Sequence, residues 1–265
     1  MSLVGAVFEK ARAEGRAVLV GYLPAGFPTV EDGIAAIRAM VAAGVDLVEV
    51  GLPYSDPVMD GPVIQRASEV ALAGGVRTRD VLSTVEAVAP SGAPVLVMTY
   101  WNPVERYGVD AFARDLAAAG GAGLITPDLV PEEADEWLAA SDHHGLDRIF
   151  LVAPSSSAAR LVSTAAACRG FIYATSLMGV TGARDATSPA APALVARVRG
   201  VTDLPVGVGL GVRDGEAAAA IGAYADGVIV GSALVRSLAD GGVPALVALS
   251  EDLAAGVRRV NQRDR

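Results

Sequence analysis

Short apolar segments recur along the whole chain and alternate with longer segments of mixed polarity. Segments this short and this continuously apolar are typical of parallel strands that are buried on both faces, whereas exposed strands alternate apolar and polar residues. The pattern predicts eight strands, at residues 17–23, 47–51, 94–98, 123–126, 148–152, 171–174, 205–208 and 227–230.

The segments between these strands have the apolar spacing of amphipathic helices. Thr29 is a typical residue at the start of a helix, and Gly44 is a typical residue at the end of one. The predicted helices span residues 2–14, 29–44, 62–73, 78–88, 109–119, 132–141, 158–167, 189–199, 214–223, a helix from 232, and 243–261.

Eight strands that are each followed by a helix fit a closed (β/α)8 barrel, the TIM barrel. An open, doubly wound sheet is the alternative, and it would carry a G-x-G-x-x-G fingerprint in its first strand-to-helix turn. That turn reads Pro24-Ala-Gly-Phe-Pro28 here, which favours the barrel. Because no stretch resembles a linker, we predict one α/β barrel domain over residues 1–265. It has an extra N-terminal helix and additional helices after strands 2 and 8.

Composition limits the possible partners and the compartment. A nucleic-acid partner would need a basic face to displace counterions, and the net charge of −9 argues against one, so we expect no nucleic-acid partner. No apolar run approaches the roughly 20 residues that cross a bilayer, so we expect no membrane association. The N-terminus also lacks the features of an export signal, and we therefore expect a soluble, cytoplasmic protein.

The residues that most often bind metals or form disulfides are scarce. Cys168 is the only cysteine, and its alanine-rich neighbourhood favours packing over nucleophilic chemistry. His143 and His144 are the only histidines, and adjacent histidines beside Asp142 and Gly145 indicate a helix end at the surface. We therefore expect no metal site.

Two carboxylates lie at and after the end of the second predicted strand. Glu49 stands between Val48 and Val50, where an ionised carboxylate is costly unless it is paired, hydrated or used. Asp60 follows beyond a loop rich in proline and aspartate. Catalytic groups of barrels come from the carboxyl ends of strands, so this pair indicates acid-base chemistry, with the pKa of Glu49 raised by its apolar surroundings. The structural alternatives are a solvated strand-edge position for Glu49 and a simple Asp-Gly turn at Asp60.

Glycines mark the ends of the last three strands, at residues 178–183, 207–211 and 231–232. Barrels often bind phosphate with the loops after strands seven and eight and a helix N-terminus, because unpaired backbone amides meet there. Gly211, Gly231 and Ser232 would supply such amides. Tight turns are the alternative explanation for any one of these glycines.

Several of these motifs occur together in one known family. Gly51-Leu-Pro-Tyr-Ser-Asp-Pro-Val-Met-Asp-Gly-Pro62, Gly179-Val-Thr-Gly182, Gly209-Leu-Gly211 and Gly231-Ser232 resemble the tryptophan synthase alpha subunit. The resemblance extends from about Phe8 to Leu249 with the motifs in the same order and spacing. It implies a TIM-barrel lyase of tryptophan biosynthesis that cleaves indole-3-glycerol phosphate into indole and glyceraldehyde 3-phosphate, a retro-aldol reaction with no cofactor in this chain.

The resemblance also implies roles for individual residues. Glu49 would be the proton shuttle at indole C3 and at the side-chain hydroxyl, and Asp60 would accept a hydrogen bond from the indole N–H. The phosphate would lie at Gly182, Gly211, Gly231 and Ser232. Thr181 would close over the site and meet Asp60, and the indole pocket would be lined by Tyr22, Tyr100, Ile125, Tyr173 and Leu210.

A partner follows from the same resemblance. It is the beta subunit, which would carry the only pyridoxal phosphate of an alpha-beta-beta-alpha heterotetramer and would receive the indole. Asp56 and Pro57 would lie near the contact. The sequence departs from the family at Leu177, where some members carry a basic residue, and at Val130, where many carry proline.

Three other functions remain compatible with the sequence. A stand-alone lyase that releases free indole would share every site residue. Another phosphate-binding barrel, such as a sugar-phosphate isomerase or a prenyl transferase, would use the glycine loops differently. A non-catalytic alpha-like subunit that only activates a beta partner is the third, and the intact Glu49 and Asp60 argue against it.

Overall fold

The computed structural model describes residues 2–175, 190–209 and 211–259, and within them eight parallel strands close into a barrel. Each strand pairs with its neighbours in the sequence, and β8 returns to β1. The predicted TIM barrel is therefore confirmed. The strands are β1 Val18–Pro24, β2 Leu47–Gly51, β3 Val95–Met98, β4 Gly123–Thr126, β5 Asp147–Val152, β6 Ile172–Thr175, β7 Val206–Gly209 and β8 Gly227–Val230.

Helices surround this barrel in the expected alternation. They are α1 Leu3–Ala13, α2 Val30–Ala42, α3 Pro62–Ala73, α4 Thr78–Val88, α5 Trp101–Tyr107, α6 Val109–Ala118, α7 Asp135–His144, α8 Ala158–Ala167, α9 Ala190–Arg199, α10 Gly215–Gly222 and α11 Ser232–Arg258. The extra helix before β1 and the second helix after β2 are present as predicted. The two helices expected after β8 form one run, interrupted at Gly242, whose φ of 64° and ψ of −163° are not helical.

The helices differ from the prediction in two places. Residues 101–107 form α5, which was not among the predicted helices, and Pro103 fits there because proline is tolerated in the first turn of a helix, where the N–H groups have no partner. The helix predicted at 132–141 begins later, since Pro131–Glu133 forms a short 3-10 turn. It also ends later, at His144, and Gly145 caps it in the left-handed conformation with a φ of 70°.

The core has two layers, because successive residues of each strand face opposite sides of the barrel wall. The outer layer packs the strands against the helices, and the inner layer fills the barrel interior. At the base of the barrel, α1 closes the interior with Val4, Phe8 and Ala11. The ring centroid of Phe8 lies 5.4 Å from that of Phe171. The loops that follow the strands surround the opposite end, where the strands have their carboxyl ends.

The helix α11 has the length and apolar composition of a membrane-crossing helix, with a mean hydropathy of 1.3, which the sequence analysis did not expect. Its break at Gly242 and the internal Pro244 interrupt it. Buried residues along it, including Leu234 and Leu253, belong to the outer layer of the barrel core. The helix is thus part of the barrel wall in this structure.

Cys168 is the cysteine predicted to pack rather than react. It ends α8 and is 8% exposed. Burial raises the pKa of its thiol to about 12, so the thiolate that nucleophilic chemistry requires is not favoured.

Candidate active site

Glu49 lies inside the barrel, in the middle of β2. The strand register places it between Tyr22 of β1 and Leu96 of β3. The side chain points inward because its neighbours Val48 and Val50 belong to the outer layer, and the residue is only 1% exposed. The solvated strand-edge alternative for Glu49 is therefore wrong.

No cation compensates the Glu49 carboxylate among the described residues that influence it. Its Oε1 is buried without a hydrogen-bond partner in that part of the chain. Burial raises the pKa of Glu49 to about 8, because the charged form loses its hydration. A carboxyl group in this state holds its proton at neutral pH and can donate it.

Asp60 lies in the loop after β2, directly before the start of α3. It is half-buried, and Tyr100 Oη donates a hydrogen bond to its Oδ1 at 3.2 Å. Gln65 Nε2 donates to the Asp60 carbonyl oxygen at 2.8 Å, which holds the backbone of the residue. Burial raises the pKa of Asp60, while the hydrogen bond from Tyr100 opposes that rise. The loop thus presents a carboxylate with one oxygen already bound.

Tyrosines surround the two carboxylates. Tyr22 is 7% exposed and Tyr100 is 6% exposed. Burial raises the pKa of Tyr22 well above its ordinary value, and the nearby carboxylates of Asp60 and Glu49 raise it further. Burial and the Glu49 carboxylate likewise raise the pKa of Tyr173. These hydroxyls therefore stay protonated at neutral pH.

Glycines on adjacent strands make room for these rings. A Cβ placed on Gly51 would lie 2.2 Å from Tyr22 Oη, and one placed on Gly209 would lie 2.4 Å from Tyr173 Oη. Neither distance is compatible with a side chain, so the tyrosines occupy the space that glycine leaves. Ile125 of β4 is fully buried in the inner layer of the core, against which Tyr173 also packs.

The glycine loops after β7 and β8 lie side by side, because these two strands are paired. Gly211 has a φ of 32°, a region that favours glycine. Gly231 is the N-cap of α11 and makes no side-chain cap hydrogen bond, and Ser232 is the first helical residue. The first amides of α11 have no carbonyl partner within the helix, which is the arrangement that binds anions. Gly182, Thr181, Leu210 and Leu177 lie outside the described residues.

The loop that carries Asp56 and Pro57 is exposed but attached to the barrel. Asp56 is exposed, Pro57 is half-buried, and Val58 between them and Asp60 is 71% exposed. Met59 N donates a hydrogen bond to Tyr100 Oη at 3.0 Å. The loop therefore joins an outward-facing segment to Asp60 within a few residues.

Three residues that support the site were not indicated by the sequence analysis. Asn102 Nδ2 donates a hydrogen bond to Tyr54 Oη at 3.2 Å, and the Tyr54 ring lies 5.2 Å from the Tyr100 ring. Asp128, in the loop after β4, accepts hydrogen bonds from Trp101 N. Tyr54 and Asp128 lie in loops that follow strands, and Asn102 lies at the start of α5, shortly after β3. This position was a signal for all three, since that end of a barrel carries function.

Within the described part of the chain, no group of three or more His, Cys, Asp or Glu residues could hold a metal ion. His144 instead lies 2.9 Å from Asp110 Oδ1 through its Nε2, at the surface end of α7.

Comparison with known proteins adds to this geometry. A family model described as the tryptophan synthase alpha chain matches residues 8–261. A tryptophan synthase alpha chain from Salinispora arenicola is 71% identical over 97% of this chain and 98% of its own length. One from Mycobacterium marinum is 67% identical over 98% of this chain and 96% of its own length.

A solved structure agrees with these sequence relatives. A chain in a structure of Mycobacterium tuberculosis tryptophan synthase superimposes with a TM-score of 0.94 at 64% identity, covering 97% of this chain and 98% of that one. The other phosphate-binding barrels considered above are thereby excluded. With a family model that spans nearly its whole length and relatives of this identity, the chain belongs to the tryptophan synthase alpha chain family.

Proposed function

We propose that this chain is a carbon-carbon lyase that cleaves indole-3-glycerol phosphate into indole and glyceraldehyde 3-phosphate. The observation that carries the proposal is Glu49, a buried carboxyl group with a pKa of about 8 at the mouth of the barrel. The reaction needs one group that can give a proton and then take one at neutral pH, and a carboxyl group with this pKa can do both.

The first step is protonation of the indole ring. Neutral Glu49 donates its proton to indole C3, the ring carbon that bears the glycerol phosphate side chain. Positive charge then develops at the ring nitrogen. The Glu49 carboxylate that remains takes the proton from the side-chain hydroxyl, the bond from C3 to the side chain breaks, and its electrons return to the ring. The products are indole and an aldehyde, and Glu49 is again protonated.

Asp60 stabilises the charge that develops at the ring nitrogen. Its Oδ1 accepts a hydrogen bond from Tyr100, and its Oδ2, which has no hydrogen bond within the described residues, would accept one from the indole N–H. The interaction of the Asp60 carboxylate with the ring nitrogen is strongest in the transition state, where the positive charge appears. It therefore accelerates the reaction rather than only tightening substrate binding. Tyr22, Tyr100, Ile125 and Tyr173 would pack against the indole ring, with Leu210 beside them and Thr181 closing over the site.

The phosphate of the substrate would lie at the opposite side of the mouth. The amides at Gly211, Gly231 and Ser232 come from the loops after two paired strands and from the uncapped start of α11. An anion gains from both the free N–H groups and the helix dipole there. We infer that Gly182 completes this phosphate site.

The proposal includes a partner, the beta subunit of tryptophan synthase, in an alpha-beta-beta-alpha assembly in the cytoplasm. Asp56 and Pro57 would contact it, since they lie in the exposed part of the loop that ends at Asp60. The steps described above use only carboxyl groups and backbone amides of this chain, and pyridoxal phosphate would belong to the beta subunit. Closure of this loop on the partner would then reach Asp60 directly.

Indole release from indole-3-glycerol phosphate by the purified chain tests the proposal, with and without added beta subunit. We expect indole in both assays and a faster release with the partner. No indole in either assay would contradict the lyase and support a non-catalytic alpha-like subunit. Strong activity that the beta subunit leaves unchanged would support the stand-alone lyase instead.

Two aspartates of the same loop provide a matched pair of variants. Asp60→Asn should lower indole release about a hundredfold in both assays, because a neutral amide stabilises the developing charge poorly. Asp56→Asn makes the same chemical change on an exposed side chain. It should leave the isolated chain active and reduce only the acceleration by the beta subunit. Equal losses for the two variants would contradict the separate roles assigned to them.

A further inference from the structure

The start of α5 is held by a residue from another loop. Tyr100 is the N-cap of α5, but its side chain makes no cap hydrogen bond. Asp128, in the loop after β4, accepts a hydrogen bond from Trp101 N with both carboxylate oxygens, at 2.9 and 3.1 Å. A carboxylate at this end of a helix satisfies a free N–H and interacts favourably with the helix dipole. Asp128 therefore fixes where α5 begins.

Tyr100 comes immediately before that fixed point, and its hydroxyl reaches the loop after β2. The hydroxyl accepts a hydrogen bond from Met59 N at 3.0 Å and donates one to Asp60 Oδ1 at 3.2 Å. The backbone of Tyr100 is held as well, because Thr99 Oγ1 donates to its carbonyl oxygen at 3.0 Å. The ring is therefore constrained at both ends.

A second contact that holds Tyr100 in place comes from α5 itself. Asn102 donates a hydrogen bond to the hydroxyl of Tyr54, whose ring packs on Tyr100. The loop after β2 is thus tied to the start of α5 through Tyr54, Met59 and Asp60 together. A shift in the start of α5 would move all three contacts at once.

We propose that Tyr100 and Asp128 are positioning residues for Asp60. Asp128 sets the position at which α5 begins, and that position sets the place of Tyr100. The Tyr100 hydroxyl then holds Asp60 through Oδ1, so that Oδ2 is directed to the indole N–H. The inference rests on the proposed function, since it assigns Asp60 the ring nitrogen as its target. It goes beyond that function by adding Asp128, which itself does not contact Asp60.

The groups around Asp60 determine the direction in which its pKa should change when Tyr100 is altered. Among the described residues, Tyr22 from β1 and Tyr100 from the end of β3 are the titratable groups that interact with its carboxylate. Burial raises the pKa of Asp60, and the hydrogen bond from Tyr100 lowers it. Removing that hydroxyl leaves burial unopposed, so a higher pH is needed to ionise Asp60.

Tyr100→Phe tests the direct contact, with indole release measured in the complex with the beta subunit across the pH range. We expect kcat to fall about tenfold, the loss typical of a hydrogen bond to a charged group, with a smaller change in KM. The acidic limb of the pH profile should move to higher pH, while the basic limb, set by Glu49, should stay in place. An unmoved acidic limb would overturn the inference.

A double-mutant cycle separates positioning of Asp60 from other effects of the same change. In an Asp60→Ala background, which removes the acceptor of the Tyr100 hydroxyl, Tyr100→Phe should cost less than about twofold in kcat, because residues that act through one another are not additive. A full tenfold loss in that background would show that Tyr100 acts on the substrate independently of Asp60, and would overturn the role proposed here.

Asp128 is tested by Asp128→Ala and Asp128→Asn in the same assay. We expect Asp128→Ala to lower kcat and to move the acidic limb in the direction seen with Tyr100→Phe. Asp128→Asn should restore most of kcat, since an amide oxygen still accepts from Trp101 N. Asp80→Ala is the matched control, because Asp80 Oδ2 accepts from Arg77 N at 2.7 Å at the start of α4. It should leave kcat and the pH profile unchanged.

The outcomes distinguish this inference from the proposed function. Wild-type chain that releases no indole in the complex would contradict the proposed function itself. Active wild-type chain with an Asp128→Ala variant of unchanged kcat and pH profile would overturn only the role of Asp128. A loss of kcat in Asp80→Ala equal to that in Asp128→Ala would also overturn it, since it would reflect helix stability alone.

Discussion

Among the described residues, one buried carboxylate lies towards the mouth of the barrel and one lies at its base. Glu49 lies on β2 towards the mouth, Asp147 lies at the start of β5 at the base, and each is 1% exposed. Burial raises the pKa of both groups. By exposure alone the two residues cannot be told apart.

The partners of the two carboxylates differ. Arg169 Nε lies 3.3 Å from Asp147 Oδ1, and Ser2, Arg169 and Arg148 all oppose the rise in its pKa. Burial is the one cause that acts on the pKa of Glu49, within the described residues. A buried acid beside cations is a structural group, whereas one that is left without a cation in a mouth open to substrate can exchange its proton. Within the described residues, the lack of a counter-ion rather than burial therefore distinguishes Glu49, the proposed catalytic acid, from Asp147.

The largest expected effect separates the two carboxylates by activity. Glu49→Gln should lower indole release about a thousandfold, because an amide can neither give nor take the proton that the reaction moves. Asp147→Asn removes the same charge at the other end of the barrel and should leave kcat within about twofold, since it lies remote from the mouth. Both are measured by indole release in the complex with the beta subunit. Comparable losses in the two variants would remove the distinction between mouth and base.

The second largest expected effect is on the pH dependence of the unfolding free energy, which should distinguish Glu49 from Asp147. Between the ordinary pKa of a glutamate and about 8, the folded chain holds a proton on Glu49 that the unfolded chain has lost. The free energy of unfolding of the wild type therefore falls as pH rises through this window. Glu49→Gln removes this loss, so the variant should gain stability over the wild type, on the order of a few kcal/mol at pH 9 and little at pH 5.

Urea denaturation of both chains at several pH values checks this gain. Comparing variant and wild type at each pH cancels the contribution of every other titrating group. A difference in unfolding free energy that stays constant from pH 5 to pH 9 would mean that the pKa of Glu49 is ordinary in the folded chain.

A smaller effect concerns the packing that surrounds Glu49. Gly51→Ala would place a Cβ 2.2 Å from Tyr22 Oη and 2.6 Å from two of its ring carbons. The ring must move, so we expect a loss of about 1–3 kcal/mol in unfolding free energy and a raised KM for the substrate. Gly200→Ala is a control, because its Cβ would lie 3.3 Å from the nearest atom, Arg197 O. Equal stabilities of the two variants would contradict close packing at the mouth.

The sequence predicted those features of the barrel mouth and base that depend on local patterns of residues. The bounds of β2, α3 and α4 were predicted as they are observed, since apolar periodicity and the glycines at the helix ends define them. Glu49 was evident because a carboxylate interrupts an apolar strand. Asp147 was missed, since it was placed just before the predicted strand rather than within it.

The contacts between loops could not be predicted in the same way. The backbone N–H of Trp101, at the start of α5, donates to Asp128, which is 27 positions away along the chain, so no local pattern reveals this cap. The hydrogen bond from Tyr100 to Asp60 spans 40 positions. Such contacts follow from closure of the barrel, which brings the ends of neighbouring strands together, and only the folded chain displays them.

The smallest expected effect is on stability at the base. Burial raises the pKa of Asp147, so ionised Asp147 also costs stability, and Asp147→Asn should stabilise the chain at neutral and alkaline pH. The gain should be smaller than that of Glu49→Gln, because Ser2 and two arginines already compensate the charge. Arg169 would keep a carboxylate partner in the variant, since its Nη1 lies 3.0 Å from Asp142 Oδ1. Urea denaturation at pH 9 compares the two gains directly. A gain for Asp147→Asn as large as that for Glu49→Gln would mean that the arginines do not compensate Asp147, and the counter-ion would no longer distinguish the base of the barrel from its mouth.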